Sequence, residues 1–156
     1  MDSRYLSSLQ RLFLWTLRHW GARDGPAPHM LRALRASPAG PTLLGAADRL
    51  LSWHDRHGRG PRQLGVPSAQ TLTTLEGQLL AAPHCAQRYP RAFLRLWLAD
   101  HFTTEGLIAA PRVLAPLADA LEDLGPDALL PPTTVQFARY GSCTLEGVSA
   151  PPTRFP

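Results

Sequence analysis

The sequence predicts an all-α protein, a single-domain bundle of about five to seven short helices. Leu occurs 27 times, whereas Val and Ile together occur five times, and Leu favours helices while β-branched residues favour strands. In the stretch 90–102, Pro-Arg-Ala-Phe-Leu-Arg-Leu-Trp-Leu-Ala-Asp-His-Phe, apolar residues recur at helical spacing over a wide arc. Because such an arc needs neighbours on more than one side, we predict that 90–102 forms the central helix.

The other helices follow from apolar periodicity and from capping residues. The predicted helices span residues 3–20, 29–36, 42–57, 69–82, 103–110 and 114–124. Ser3 is the predicted N-cap of the first helix. The helix that begins near Ser68 has an alternative start at Thr73, which forms a capping-box pattern with Glu76. Pro83 is predicted to end that helix.

The last part of the chain contains two prolines within a helical pattern and then a segment that could form β-strands. Pro111 and Pro116 are predicted to interrupt the helical pattern. Residues 133–148 could form a β-hairpin with a Gly-Ser turn, followed by an extended tail. The predicted organisation is a helical domain over 1–125 and a C-terminal extension over 126–156.

Basic residues are of one kind and are unevenly spread. All 16 are Arg, and Lys is absent, which excludes Schiff-base lysines, lysine general bases and lysine-assisted phosphate loops. Residues 1–95 carry a net charge of +8 and residues 96–156 a net charge of −4. This asymmetry indicates either an anionic partner for the first part or attraction between the two parts.

The sequence also predicts a location. Its two cysteines do not make a disulfide framework, and the N-terminus lacks the pattern of a secretory signal. The apolar stretch 90–102 is too short to span a bilayer, which needs about 20 residues. We therefore expect a cytoplasmic protein with no membrane segment and no cofactor.

Two histidines lie three residues apart at a predicted helix end, His54 and His57. Together with His84 and Cys85 they could form a four-ligand zinc site, although histidines are also favoured at helix C-termini by the dipole. Cys85 lies just beyond a predicted helix C-terminus, the wrong pole to activate a thiol. A small metal- or thiol-dependent enzyme is thus one hypothesis.

A second hypothesis comes from the segment 62–72, Arg-Gln-Leu-Gly-Val-Pro-Ser-Ala-Gln-Thr-Leu. It is similar to the turn and recognition-helix start of helix-turn-helix proteins, although one extra residue follows the Leu-Gly pair and Gly and Pro precede the turn. The resemblance implies a nucleic-acid-binding regulator. The candidate residues are Arg56, Arg59, Arg62, Ser68, Gln70 and Thr71.

The preferred hypothesis is a non-enzymatic helical protein that binds another protein, of the adaptor or regulatory type. No convincing catalytic set accompanies the large apolar inventory and the charged helix faces. Apolar surface beside exposed arginines is where a protein partner is expected to bind. The candidate partner-binding residues are Arg18, Arg32, Arg35, Arg91 and Arg95.

Overall fold

The computed structural model describes residues 2–22 and 25–132, which form six α-helices after a short 3-10 turn at Ser3–Tyr5. The helices are α1 (Ser8–Gly21), α2 (Pro28–Ala36), α3 (Gly40–His57), α4 (Thr74–Arg88), α5 (Arg91–Leu98) and α6 (Thr104–Glu122). No β-strand occurs among the described residues. The all-α class is confirmed, while the predicted hairpin at 133–148 and the tail lie outside the described residues.

Four helices, α1, α3, α4 and α6, contribute most of the core. Helix α6 packs against both α3 and α4, and α1 packs against the same two helices. Helix α2 packs on α3, and α5 packs mainly on α4 and α6. The largest fully buried side chains are Phe13, Leu17, Leu43, Leu50, Leu51, Leu75, Leu79, Leu80, Leu98, Phe102, Leu114 and Leu121. None of the described helices is long and apolar enough to cross a bilayer.

The predicted central helix differs most from expectation, because α5 ends at Leu98 and lies at the side of the bundle. Leu94 and Trp97 face the core, but Leu96 is 78% exposed. After Leu98 the chain turns, and Phe102 is inserted beside Trp53 of α3, with ring centroids 3.9 Å apart. Phe102 therefore reaches the core through this stacking contact and not as part of α5.

Capping residues set two of the helix starts. Helix α1 begins after Ser7, whose hydroxyl accepts a bond from the Gln10 N–H at 3.1 Å, so the predicted cap at Ser3 was wrong. Helix α4 begins after Thr73, where the capping box with Glu76 is complete. The alternative start at Thr73 is confirmed.

Three prolines predicted to end or interrupt helices lie inside them. Helix α4 continues through Pro83 to Arg88, and α6 continues through Pro111 and Pro116. An interior proline removes one backbone hydrogen bond and costs about 3 kcal/mol in a helix. Both helices bury apolar residues on each side of their prolines, and this packing outweighs that local cost.

The chain after α6 folds back on α1. Gln10 Nε2 donates to the Leu129 carbonyl at 3.0 Å, and the Ser7 hydroxyl donates to the Asp127 carbonyl at 2.7 Å. Leu129 and Leu130 are buried in the same core as the helices. The described part of the proposed extension thus belongs to the bundle, and the domain boundary at residue 125 stays a prediction.

Candidate functional site

Arg18, a predicted partner-binding residue, is buried instead. Its side chain is 2% exposed and that of Glu76 is 0% exposed, and Arg18 Nε lies 2.7 Å from Glu76 Oε1. Arg18 also donates to the carbonyls of Ala69 and Thr71, while the Glu76 carboxylate accepts from the N–H groups of Gly65 and Thr73. This pair ties the loop between α3 and α4 to α1, so Arg18 has a structural role.

That same loop carries most of the predicted nucleic-acid-binding residues. The recognition helix implied at its end is not formed, because α4 begins only at Thr74. The Gln70 carbonyl accepts from the Ser3 N–H, and Thr71 pairs with Asp2. Ser68 is exposed. The backbone near the end of the loop is therefore held by internal contacts.

The three arginines of the predicted nucleic-acid site have different surroundings. Arg62 pairs with both carboxylate oxygens of Asp55, and this contact lowers the pKa of that carboxyl. Arg59 donates from Nε to the Phe102 carbonyl at 2.9 Å. Arg56 is exposed and makes no ion pair with any described residue. Of the three, Arg56 is the one whose side chain makes neither a hydrogen bond nor an ion pair with a described residue.

The predicted metal and thiol residues do not come together. Among the described residues, no group of three or more His, Cys, Asp or Glu side chains could hold a metal ion. His54 lies edge-on to Phe102, and burial lowers its pKa. Cys85 is fully buried, and burial raises the pKa of its thiol to about 12. His84 is half-buried with a pKa that burial lowers.

Arg32 and Arg35 are exposed on α2, as the partner-binding hypothesis requires. Beside them, α1 and α2 form an open groove of about 460 Å³. Its lining is mainly apolar and includes Leu12 and Trp15, with Arg11 as its charged residue. This groove has one arginine in its lining, so it is less basic than the grooves along α6.

Helices α5 and α6 form two adjoining grooves of about 310 and 380 Å³. Arg91 and Arg112 line both, and Arg95 lines the second. The lining of the two grooves also includes apolar residues, among them Leu94, Ile108 and Pro111, and Ile108 is 63% exposed. Glu105 is the acidic residue in the lining and makes no ion pair with the described arginines.

A third groove, of about 520 Å³, lies on the other side of α6 against α3. Arg49 and Arg56 of α3 line it, together with Ser52 and His57. Ala109 of α6 lines this groove and its neighbour, so the two grooves adjoin at α6.

We call this surface the basic face and define it by Arg49, Arg56, Arg91, Arg95 and Arg112. All five are exposed, and none forms an ion pair with a described residue. With Asp48 and Glu105 included, the lining of the three grooves carries a net charge of +3. Such a concentration of one sign attracts anionic groups.

Sequence reasoning identified three of these five arginines and missed two. Arg112 lies between Pro111 and Pro116, a stretch that the prolines suggested was broken, whereas α6 runs through it. Arg49 falls on the outer side of the predicted third helix, with no local feature that separates it from an ordinary solvated arginine. Only the approach of α6 to α3 makes Arg49 part of a groove.

Comparison with protein-family models, with curated proteins and with solved structures gave no significant match to this chain. The candidate site is therefore identified by geometry and charge alone.

Proposed function

We propose that this protein is non-enzymatic and acts by binding another protein, as an adaptor or regulator, with the basic face as its binding surface. The observation that carries the proposal is the set of five exposed arginines that line three adjoining grooves and form no ion pair with a described residue. The buried state of Cys85 supports a non-enzymatic role, since a thiol with a pKa of about 12 is not a thiolate near neutral pH.

The partner segment is expected to be acidic and partly apolar. Carboxylates pair well with the planar guanidinium group, which offers two parallel donors. The apolar residues between α5 and α6, among them the exposed Ile108, would contact an aliphatic or aromatic side chain. Burying one such side chain contributes about 1.5–3 kcal/mol, so affinity would come from apolar contact and selectivity from charge.

The proposed location is the cytoplasm. Cys85 is an unpaired thiol, and two cysteines in 156 residues do not make the disulfide framework that is common in secreted domains.

The test uses pools of fluorescent 12-residue peptides with Glu at alternate positions and random residues between them. We expect the acidic pool to bind, a matched pool with Arg in place of Glu not to bind, and added salt to weaken binding because the arginines are exposed. The variant Arg91→Glu/Arg95→Glu/Arg112→Glu should abolish binding.

The matched control reverses the same number of charges elsewhere, in Arg11→Glu/Arg32→Glu/Arg35→Glu on α1 and α2. The control should bind the acidic pool as the unaltered protein does. Equal loss in both variants would show that net charge, and not the basic face, attracts the peptides. Tighter binding to duplex DNA than to the acidic pool would favour the nucleic-acid hypothesis instead.

A further inference from the structure

One wall of the groove between α3 and α6 carries a regular set of polar side chains. Arg49, Ser52 and Arg56 follow at intervals of three and four residues, so they lie along one side of α3. At 1.5 Å per residue the two arginines are about 10 Å apart along the axis, with the Ser52 hydroxyl between them. An anion above Ser52 is therefore within reach of both guanidinium groups.

The carboxylates next to these arginines are committed to other partners. Asp48 accepts a hydrogen bond from Trp20 Nε1 at 3.1 Å, and Asp55 is paired with Arg62. Neither carboxylate forms an ion pair with Arg49 or Arg56, and the two arginines have no ion-pair partner among the described residues.

Helix stability alone does not explain this set. Arg56 and His57 are in the last turn of α3, where a cation offsets the helix dipole. Arg49 lies two turns earlier, beyond the range of that effect. Ser52 is half-buried and its hydroxyl bonds to no described residue, whereas the α1 Thr16 hydroxyl donates to the carbonyl four residues before it.

We propose that this groove is a phosphate-binding subsite that takes a phosphorylated Ser or Thr side chain of the partner. This inference rests on the proposed function for the nature of the partner. A phosphate monoester carries a charge of about −1.5 to −2 and three acceptor oxygens. Arg49 and Arg56 would each donate to it and Ser52 would add a third donor, one for each of the three phosphate oxygens.

The distance between subsites sets the spacing in the partner. This groove and the groove against α5 lie on either side of α6 and meet at Ala109, so ligand groups bound in the two would be about one helix width, 10 Å, apart. About three extended residues cover that distance. The phosphorylated residue is thus expected about three residues from the acidic, apolar stretch that binds between α5 and α6.

The first experiment titrates the uniformly 15N-labelled protein with N-acetyl-O-phosphoserine amide and follows the backbone amide shifts. Shifts gathered at residues 49–57 and 109–113 are expected, and N-acetylserine amide should cause none. The variant Arg49→Ala/Arg56→Ala should weaken binding by at least about tenfold, since it removes both charge-assisted donors. Arg32→Ala/Arg35→Ala, an equal loss of exposed charge on α2, should leave binding unchanged. An unshifted spectrum, or the same loss in both variants, overturns the proposal.

The second experiment compares two acidic peptide pools that differ only in a central phosphoserine or serine. The phosphorylated pool should bind at least about tenfold tighter, and Arg49→Ala/Arg56→Ala should remove that gain, so that the variant binds the two pools alike. Equal affinity for the two pools refutes a phosphorylated protein as the ligand, even where the small probe binds. If the serine pool fails to bind and the phosphoserine gain persists, the proposed α5–α6 site fails and the phosphate subsite stands.

Discussion

Replacing Arg18 with Met should destabilise the protein by about 3–5 kcal/mol, the usual cost of leaving one member of a buried ion pair without its partner. The side chain of Glu76 is 0% exposed, and it faces Arg18 through two hydrogen bonds of 2.7 and 2.9 Å. The variant would also leave the carbonyls of Ala69 and Thr71 without their guanidinium donor. A loss of this size is a large part of the 5–15 kcal/mol that stabilises a typical domain.

The assay is urea unfolding at pH 7, followed by far-UV circular dichroism. The exposed Arg11 on the same helix provides a matched control, and Arg11→Met should change stability by no more than about 0.5 kcal/mol. The losses of Arg18→Met and Glu76→Gln should be less than additive in the double variant, because either change alone already breaks the pair. A loss below about 1 kcal/mol for Arg18→Met, or additive losses in the double variant, would refute the reasoning.

Three further predictions concern pH, thiol chemistry and helix packing. Because burial lowers the pKa of His54 in the folded protein, only the unfolded chain gains a proton just below pH 6.5, so stability should fall as the pH falls, by up to about 1.4 kcal/mol per unit. His54→Gln should make the urea midpoint depend less on pH between about pH 5 and 6.5. An unchanged dependence on pH would count against His54 as the cause. In a Cys143→Ser background, the buried Cys85 should react with a thiol reagent at pH 8 only after unfolding by urea; rapid labelling without urea would contradict its burial. Gly45→Ala should raise stability by about 0.5–1 kcal/mol because an added Cβ meets open space, whereas Gly106→Ala should lower it because its Cβ would lie 2.6 Å from a side-chain carbon of α3; urea midpoints that move in the same direction would refute this contrast.

Local signals predicted the helical class and several helix boundaries. Helix α2 was predicted at 29–36 and spans Pro28–Ala36, and α3 was predicted at 42–57 and spans Gly40–His57. Apolar spacing and capping involve residues within a turn or two of the chain, so they can be recognised from the sequence alone. The capping box of Thr73 and Glu76 belongs to the same class of signal.

Elements that depend on distant packing were predicted less well. Pro83 lies within α4 because the apolar residues on both sides of it are buried against other helices, an effect that the local preference of proline does not contain. Likewise the apolar spacing of 90–102 predicts one helix, but α5 ends at Leu98 and Phe102 stacks on Trp53. The stacking energy that competes with continuing the helix comes from Trp53, which is far from Phe102 in the sequence.

The same division applies to the binding surface. By itself, the sequence determined an all-α chain whose basic groups are all guanidinium groups. Only the tertiary structure decided what each arginine does. Arg18 is neutralised by Glu76, 58 positions further on, while Arg49 becomes part of a groove because α6 packs beside it. A charge is free or paired according to its neighbours in space, and the fold alone supplies those neighbours.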